Sequence, residues 1–429
     1  MLKNFVKKIT PKFLVSCYHF CWAFLGAMVF GFPSRKIKVI GITGTNGKTT
    51  TANLIADILE EGGYKVAVAS SIKFKIGKEE QENKLKMTMP GRAVLQKFLR
   101  EAVKAGCQYA IIEATSEGTL QYRQRFINWQ TMVFTNLSPE HIERHKGFEN
   151  YKKAKGQYFK ICKGTHIINA DDANSEYFLQ FPSKQKFCYG LKNPNVKIAR
   201  GENVREEKDG LYFDIENKNF YLPLIGKFNV YNCLAAICVG LSQNVSLEIC
   251  QKALANSGGA PGRMEEVIKE PFRVIVDYAF TPNALEQVYS TLRKSTSQLV
   301  CVLGACGGGR DKWKRPVLGQ IAAKHCDEII ITNEDPYDEN PMEIIHQVAE
   351  GAQGTEFLVR KELGSFHPPL KILDRREAIR KALELAEPND TVIITGKGSE
   401  PWLCVENGKK IPWDDRAIVR EEFAKIPRK

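Results

Sequence analysis

The stretch that decides the fold is IKVIGITGTNGKTTTANLIADILEEGGYKVAVASSI, residues 37–72. It opens with the apolar run IKVIGIT (37–43), which predicts a buried strand. After a glycine-rich loop, apolar residues recur at helical spacing until Gly62–Gly63, and a second apolar run, YKVAVASSI, follows. The order strand, loop, helix, strand is the unit from which parallel α/β sheets are built.

The loop GTNGKTT (44–50) predicts a phosphate-binding site. Its glycines let backbone N–H groups approach a phosphate, and the helix N-terminus that follows favours an anion. Lys48 can reach the β- and γ-phosphates, and the Thr49 hydroxyl can bind Mg²⁺. The spacing is the shorter G-x-x-G-K-T form, because Ile42 occupies the position where the usual pattern has glycine.

The second part of the chain alternates strands and helices. FRVIVDY, QLVCVLGA, EIIITN and TVIITG are apolar runs with helical patterns between them, which predicts a Rossmann-like α/β domain. Its stretch GACGGGRDKWKRP lacks the G-K-T ending, so we interpret it as a ligand-binding loop and not as a second ATP site. We therefore predict a helical segment at 1–36, a central ATP-binding domain at 37–258 with a mainly parallel sheet, and a C-terminal domain at 259–429.

Composition and charge limit the classes of function. A chain of 429 residues has room for roughly two to four domains. Its 43% hydrophobic and 26% charged residues are typical of a globular protein and exclude global disorder. The net charge is +13, but residues 1–38 hold seven lysines and arginines and no acid. No basic stripe with aromatic residues marks the remaining chain, so we expect no nucleic-acid partner.

An uncharged apolar segment, FLVSCYHFCWAFLGAMVFGF, occupies residues 13–32. Three interpretations are open: a helix packed on the next domain, a helix lying on a membrane surface, and a transmembrane span. Its aromatic residues and basic flanks suit an anionic interface. We do not expect a cleavable signal peptide, because the apolar stretch is too long and a strand of the nucleotide site follows within a few residues.

The twelve cysteines are scattered, and no C-x-x-C pair occurs, which argues against a zinc ribbon. Several lie within apolar runs, such as Cys301 in LVCVLGA. We expect reduced, buried thiols of a cytosolic protein.

Polar residues follow two further apolar runs. Glu113 ends QYAIIE, and Asn136, Glu140 and His141 follow TMVF. Because the carboxyl ends of parallel strands meet at one edge of a sheet, these side chains predict a single metal–phosphate crevice.

The chain resembles the Mur ligase family, most closely the MurE type, which adds the third residue of the peptidoglycan stem peptide. The resemblance covers about residues 38–416 and rests on motifs that occur in family order. They are GTNGKTTT (44–51), EATSEGT (113–119), FTNLSPEHIERH (134–145), YKKAKGQYF (151–159), INADD (168–172), GKFNVYNCLAA (226–236), PGRMEEV (261–267), VDYAFTPNAL (276–285), GACGGGRDKWKRP (304–316) and ITGKGSE (394–400).

The resemblance implies an ATP-dependent, Mg²⁺-requiring amide ligase of cell-wall peptide synthesis, cytoplasmic and monomeric. Its substrates would be UDP-N-acetylmuramoyl-L-Ala-D-Glu and a diamino acid, L-lysine or meso-diaminopimelate, joined through an acyl phosphate. For nucleotide contacts it implies Gly44, Thr45, Asn46, Gly47, Lys48, Thr49, Thr50, Asn229, Asn232, Arg263 and Asp277. For two Mg²⁺ ions and catalysis it implies Lys48, Thr49, Glu113, His141 and a carbamylated Lys155. For substrate contacts it implies Thr88, Thr115, Ser116, Arg310, Asp335, Tyr337, Gly396 and Glu400.

The sequence departs from the family pattern in four places. The phosphate loop begins at residue 44, so we expect the usual UDP-binding domain to be missing and a lipid-linked acceptor becomes an alternative. Tyr337 stands where diaminopimelate-adding members carry the arginine of D-N-P-R, which favours lysine or another diamine-bearing amino acid. Phe280 replaces a common histidine, and Thr88-Met89-Pro90 replaces a Thr-Thr-Pro-like turn.

Other interpretations remain open from the sequence. A related ligase with a different acceptor, of folylpolyglutamate or cyanophycin type, would share the nucleotide motifs. A catalytically inactive nucleotide-binding protein tethered to a membrane is a further alternative, against which the set Lys48, Glu113, His141 and Lys155 argues. Without the resemblance, Asn229 and Asn232 are also compatible with helix capping in an FNVYN turn.

Overall fold

The computed structural model describes residues 11–196, 199–353 and 367–426. The chain divides into two compact units. The first contains residues up to 137, 149–223 and 229–257, and the second contains 138–148, 224–228 and 258 onwards. Residues 1–10 of the N-terminal segment lie outside the described residues, and the boundaries predicted at 36/37 and 258/259 stay predictions.

The strands are, in chain order, β1 (Lys38–Thr43), β2 (Val66–Ala69), β3 (Lys73–Ile76), β4 (Glu79–Glu82), β5 (Tyr109–Glu113), β6 (Trp129–Phe134), β7 (Thr165–Asn169), β8 (Gln185–Gly190), β9 (Ala199–Arg200), β10 (Glu202–Glu207), β11 (Gly210–Ile215), β12 (Lys218–Leu222), β13 (Glu265–Ile268), β14 (Arg273–Val276), β15 (Leu299–Leu303), β16 (Glu328–Thr332), β17 (Leu370–Ile372), β18 (Thr391–Ile394), β19 (Trp402–Cys404) and β20 (Lys410–Pro412). The α-helices are α1 (Lys12–Val29), α2 (Lys48–Glu61), α3 (Arg92–Lys104), α4 (Ser116–Leu120), α5 (Ile142–His145), α6 (Phe148–Ile161), α7 (Ser175–Leu179), α8 (Phe228–Ser242), α9 (Leu247–Ala255), α10 (Pro282–Leu292), α11 (Lys314–His325), α12 (Pro341–Ala352), α13 (Arg375–Leu385) and α14 (Asp415–Phe423).

The first unit is built on a sheet with strand order β4-β3-β2-β5-β1-β6-β7-β8-β9. All its pairings are parallel except those of the hairpin strands β3 and β4. Strands β5, β1 and β6 are adjacent, so their carboxyl ends lie at one edge, as predicted. A separate antiparallel sheet, β10-β11-β12, belongs to the same unit.

The second unit has a sheet of order β13-β14-β18-β15-β16-β17, in which β13 is antiparallel to β14 and the other pairings are parallel. Successive residues of β15 enter opposite cores: Cys301 packs in the cluster with α10, α11 and α12, whereas Val300 and Val302 pack with α13 and α14. Helices therefore cover both faces, which explains the continuous apolar strands. The predicted α/β class with a Rossmann-like C-terminal domain is confirmed.

Helix α1 packs on the first unit as a surface helix. Ala23 and Ala27 are buried, and a Cβ built at Gly26 would lie 3.3 Å from Cα of Ala93 in α3. Small residues thus let the two helices approach closely. Across residues 11–196, 199–353 and 367–426, no helix has both the length and the apolarity needed to cross a membrane.

The cysteines depart from the expectation of reduced, buried thiols in two respects: Cys21 is exposed, and one pair is oxidised. Cys301 of β15 and Cys326, directly after α11, form a disulfide inside the second unit, so the expectation of thiols is wrong for this pair. Cys107, Cys162 and Cys233 are buried free thiols, as expected.

Candidate functional site

The phosphate loop joins β1 to α2 and has a close neighbour in α8. Gly47 has φ +82°, and a Cβ there would lie 2.4 Å from Oδ1 of Asn232, so only glycine fits. Thr51 Oγ1 donates to the same Asn232 oxygen at 3.3 Å, and Asn232 Nδ2 donates to Asn229 Oδ1 at 2.8 Å. Both asparagines lie inside α8 and not at its cap, so the capping alternative is wrong.

The carboxyl end of β6 holds the loop from the other side. The backbone N–H of Asn46 donates to Asn136 Oδ1 at 2.9 Å, and Asn136 Nδ2 donates back to the Asn46 carbonyl at 3.1 Å. The Thr45 N–H donates to the Asn136 carbonyl at 2.9 Å. This reciprocal bonding uses the N–H groups of Thr45 and Asn46 and fixes the loop's shape, so that the rest of the loop backbone needs little reordering to bind a phosphate.

Lys48, the first residue of α2, folds back over the loop. Its Nζ donates to the carbonyls of Gly44 at 3.0 Å and Thr45 at 2.8 Å. The ammonium is therefore held at the helix N-terminus, where charge on transferring phosphate oxygens would accumulate. Thr50, the third nucleotide-site residue of α2, is buried.

Glu113 is the last residue of β5 and is completely buried. Hydroxyl and backbone N–H groups donate hydrogen bonds to its carboxylate. Its Oε1 accepts from Thr49 Oγ1 and from the N–H of Ser71, both at 2.8 Å, and its Oε2 accepts from Ser71 Oγ at 3.1 Å. Ser71 Oγ also contacts Thr88 Oγ1 at 3.1 Å. Thr88, which we expect to contact the acceptor substrate, is thus linked through Ser71 to the Thr49–Glu113 network.

This donor set fits Mg²⁺. A hydroxyl and a carboxylate oxygen lie side by side at the phosphate loop, and Mg²⁺ commonly takes one or two carboxylates, with waters and substrate phosphates completing its shell. In the part of the chain that the structure describes, no group of three or more His, Cys, Asp or Glu is placed to hold a metal ion by itself. Waters and phosphate oxygens would complete the shell of an ion held by Thr49 and Glu113.

Lys155 of α6 is buried beside the same loop. Its Nζ donates to the Gly44 carbonyl at 2.7 Å and lies 4.7 Å from the ring centre of Tyr151. Burial, and secondarily the positive charge of Lys48, lower the pKa of Lys155 well below its ordinary value. A neutral amine is the form that reacts as a nucleophile.

Thr115 and Ser116 stand at the start of α4. Thr115 accepts from the Gly118 N–H through Oγ1 at 3.1 Å, and its carbonyl accepts from Tyr158 OH at 2.9 Å. Ser116 is buried. Thr115 therefore caps a short helix near the carboxyl end of β5.

His141 lies in the second unit, whereas Thr49, Glu113 and Lys155 lie in the first. The backbone of His141 is left-handed, with φ +56°. The next two backbone N–H groups, of Ile142 and Glu143, donate to the two carboxylate oxygens of Asp311 at 3.0 Å each. The Lys312 N–H donates to Glu143 Oε1 at 2.9 Å. Three hydrogen bonds thus join the 304–316 loop to the turn at His141.

A buried ion pair adjoins that turn. Lys314 Nζ lies 2.9 Å from Glu140 Oε1, and both side chains are 3% exposed. Lys314 Nζ also lies 4.8 Å from the ring centre of Phe280, so the ammonium lies over the phenyl ring. Phe280 occupies the position where the family pattern commonly has histidine. Burial raises the pKa of Glu140, and Lys314 opposes that rise.

Asp277 and Arg263, expected at the nucleotide, are close to each other in the second unit. Asp277 accepts from the N–H groups of Met264 at 2.7 Å and Ala279 at 2.6 Å. Burial raises its pKa, while Arg263 counteracts the rise. The Arg263 guanidinium lies 4.1 Å from the ring centre of Tyr278.

A second cluster surrounds Lys397, which is completely buried. Its Nζ lies 2.9 Å from Asp335 Oδ1 and 2.7 Å from Glu400 Oε2. Tyr278 OH donates to Glu400 Oε1 at 2.7 Å. Two expected substrate residues, Asp335 and Glu400, are therefore joined through a lysine that sequence reasoning did not single out.

Two neighbouring loops carry Arg310, between β15 and α11, and Tyr337, between β16 and α12. A Cβ at Gly308, where φ is +65°, would lie 2.5 Å from the Tyr337 ring, so the glycine loop packs on the tyrosine. Burial lowers the pKa of Arg310, but nearby Cys306 and Tyr278 outweigh it and raise the pKa above its ordinary value. The guanidinium thus stays charged.

Glu334 and Gly396 lie at the same cluster. A Cβ at Gly396 would lie 2.3 Å from Glu334 Oε2, and Cys306 Sγ lies 2.8 Å from Glu334 Oε1. Burial raises the pKa of Glu334. The cluster is therefore rich in carboxyl groups.

Sequence reasoning missed Ser71, Lys397 and Glu334 as members of these networks. Lys397 carried a signal, since it lies in the quoted ITGKGSE motif between Gly396 and Glu400. Ser71 carried none, because its contact with Glu113 joins residues 42 positions apart.

Comparison with known proteins gives the family. Residues 42–240 match the Mur ligase middle domain, and residues 262–398 match the Mur ligase glutamate ligase domain. A UDP-N-acetylmuramoyl-L-alanyl-D-glutamate–2,6-diaminopimelate ligase of Clostridium botulinum is 36% identical over 413 residues, covering 94% of this chain and 81% of that protein.

Solved structures agree with this assignment. The structure of a UDP-N-acetylmuramoyl-L-alanyl-D-glutamate–2,6-diaminopimelate ligase has 31% identity and a TM-score of 0.60, over 90% of this chain and 78% of that one. A Mycobacterium tuberculosis folylpolyglutamate synthase has a TM-score of 0.71 at 16% identity, over 95% and 96%, which shows a shared fold alone. The chain belongs to the Mur ligase family and is an ATP-dependent ligase that forms amide bonds.

Proposed function

We propose that this enzyme adds a diamino acid to UDP-N-acetylmuramoyl-L-Ala-D-Glu in peptidoglycan precursor synthesis, at the expense of ATP. The observation that carries the proposal is the phosphate loop, with Lys48 folded over it and the Thr49–Glu113 pair at its edge. The names of relatives that are about one-third identical over nearly the whole chain support the choice of substrate.

The acceptor carboxylate attacks the γ-phosphate of ATP, which releases ADP and gives an acyl phosphate. The amine of the incoming amino acid, which loses a proton, then displaces inorganic phosphate and forms the amide. Lys48 stabilises the negative charge on the transferring oxygens. Thr49 and Glu113 would hold a Mg²⁺ ion, which neutralises phosphate charge when bound. The loop backbone, which the bonds of Thr45 and Asn46 to Asn136 hold in place, would orient the phosphates.

We further propose that Lys155 is carbamylated. The modification forms an N–C bond between the neutral amine and CO₂, with release of the amine proton, and it turns a cation into a carboxylate-like ligand for a second Mg²⁺. The burial of Lys155 and its lowered pKa support the neutral amine that this step needs. Separately, the family resemblance supports His141 as a Mg²⁺ ligand.

The named relatives are 2,6-diaminopimelate ligases. For this chain, of the two diamino acids, we nevertheless propose L-lysine in preference to meso-diaminopimelate. Glu400, whose side chain is 21% exposed beside Lys397, supplies a carboxylate that suits an ammonium group. Asp335 is buried on the same lysine and would position Glu400 through it. Tyr337 cannot form the bidentate contact that an arginine makes with a distal carboxylate. Arg310 stays charged and would bind the α-carboxylate.

The test is phosphate release from ATP and Mg²⁺ with UDP-N-acetylmuramoyl-L-Ala-D-Glu, across L-lysine, meso-diaminopimelate, L-ornithine and a blank. We expect release that depends on L-lysine. Release that depends only on meso-diaminopimelate would overturn the assignment of the amino acid and leave the ligase intact. No release with any amino acid, while ATP still binds, would overturn the assignment of the acceptor substrate.

We also propose that the enzyme is a cytoplasmic monomer with domain boundaries at 36/37 and 258/259. Sedimentation equilibrium at micromolar concentration should give a single species near the chain mass of 48.4 kDa. Limited proteolysis should cut near residue 258, whereas first cuts deep inside 37–258 would contradict that boundary.

A further inference from the structure

Helix α1 presents one continuous apolar face to solvent, which we call the α1 stripe. Its members recur at helical spacing: Leu14, Tyr18, Cys21, Trp22, Leu25, Met28 and Val29. Trp22 is 48% exposed and Val29 is 74% exposed. None of the seven carries a formal charge.

Large exposed hydrophobic side chains are concentrated here. Of the sixteen among the described residues, nine lie between Phe13 and Val29. Single exposed hydrophobic residues are ordinary on protein surfaces, but a contiguous patch marks an interaction site.

The opposite face of α1 fixes the helix to the first unit. Ser16 Oγ lies 2.8 Å from Tyr122 OH, and Arg92 NH1 lies 2.8 Å from His19 Nδ1. The rings of Phe24 and Phe126 are 5.4 Å apart, edge to face. These polar and aromatic contacts fix the orientation of α1, so the stripe faces solvent.

Charge distinguishes the possible occupants of the stripe. Residues 1–38 contain seven lysines and arginines and no acidic residue, and Arg35 and Lys36, a few residues beyond the end of α1, are exposed. A surface rich in anionic lipid complements this charge. A second copy of the chain would instead bring two positively charged segments together, which opposes a dimer through this face.

We propose that α1 docks in the plane of an anionic bilayer surface. The stripe inserts its aromatic and aliphatic side chains at the headgroup boundary, and the flanking cations contact lipid phosphates. Apolar insertion and a basic segment together supply the two signals that stable peripheral attachment requires. Membrane binding by α1 is independent of the proposed ligase reaction, and each can be tested without the other.

The test is flotation of the full chain with vesicles of phosphatidylcholine alone or with one-third phosphatidylglycerol. Leu25→Glu puts a charge on the stripe, at a residue 42% exposed. Leu373→Glu is the matched control, because Leu373 is 46% exposed in the second unit. We expect the wild type and Leu373→Glu to float with anionic vesicles, and Leu25→Glu to float at least tenfold less. Raising the salt from 0.1 to 0.5 M should weaken the binding.

A second readout reports insertion. Cys21 is the most accessible free cysteine among the described residues, so an environment-sensitive thiol dye on it should shift to shorter wavelength with anionic vesicles. Absence of flotation in the wild type, or equal flotation of Leu25→Glu and Leu373→Glu, would overturn the proposal. A vesicle-free dimer that Leu25→Glu dissociates would overturn it in favour of a second copy.

Discussion

The buried pair Glu140–Lys314 offers a sharp test of the structure around His141. Lys314→Met keeps much of the aliphatic side chain and removes the ammonium, which lies 4.8 Å from the ring centre of Phe280. Both charged side chains are 3% exposed, so the Glu140 carboxylate is left buried without its cation. Breaking such a pair costs about 3–5 kcal/mol, because the remaining charge cannot be solvated.

The cost should depend on pH with a definite sign. Burial raises the pKa of Glu140, and loss of Lys314 raises it further. The folded state of Lys314→Met then binds a proton that the unfolded state has already released. The mutant therefore loses stability relative to wild type as pH rises from the ordinary carboxyl range through the raised pKa. The loss is about 1.4 kcal/mol for each tenfold increase in the proton affinity of the folded-state carboxylate.

The assay is hydrogen exchange across the 138–148 segment, since the Ile142 and Glu143 amides donate to Asp311. Hydrogen exchange reports the stability of this segment alone, so the measurement does not assume that the two units unfold in one step. Lys97→Met is the matched control, because the Lys97–Glu101 pair is 63% and 50% exposed, and we expect a cost below about 0.5 kcal/mol. Glu140→Gln combined with Lys314→Met should recover part of the loss. A Lys314→Met effect no larger than that of Lys97→Met would refute the reasoning.

Three further predictions concern catalysis and specificity. Lys48→Ala should lower kcat at least a hundredfold by removing phosphate-charge stabilisation while ATP still binds; retained turnover in steady-state assays would contradict that role. Lys155→Ala should abolish turnover and regain part of it with added short-chain carboxylates, whereas full activity without them would show that no carbamate is needed. Tyr337→Arg should raise kcat/KM for meso-diaminopimelate relative to L-lysine by about tenfold or more, because it restores a bidentate carboxylate contact; an unchanged ratio would exclude Tyr337 as a selector.

Local patterns predicted the backbone of the first unit well. The order of apolar run, glycine loop and helix fixes β1, the loop and α2, because each element is decided by neighbouring residues. Glu113 was found for the same reason, as a carboxylate at the end of an apolar run. These predictions needed no knowledge of distant contacts.

The networks around the site could not be predicted in this way. Thr51 meets Asn232 across 181 positions, and Lys314 meets Glu140 across 174. Such contacts depend on where the topology brings α8 and α11, which periodicity does not specify. The Cys301–Cys326 disulfide was missed similarly, since an apolar run predicts the burial of Cys301 but not its partner.

The surroundings of Lys155 give a physical reason for the modification that we propose there. Lys155 Nζ and Lys48 Nζ both donate to the Gly44 carbonyl, at 2.7 and 3.0 Å, which places the two nitrogens within about 6 Å of each other. At an effective dielectric constant of about 20, two positive charges at that separation repel by on the order of 3 kcal/mol. Deprotonation of Lys155 removes this repulsion, and carbamylation replaces it with an attraction of similar size to Lys48. Burial therefore opposes the lysine cation, while the neighbouring lysine favours the anion that would bind a second Mg²⁺.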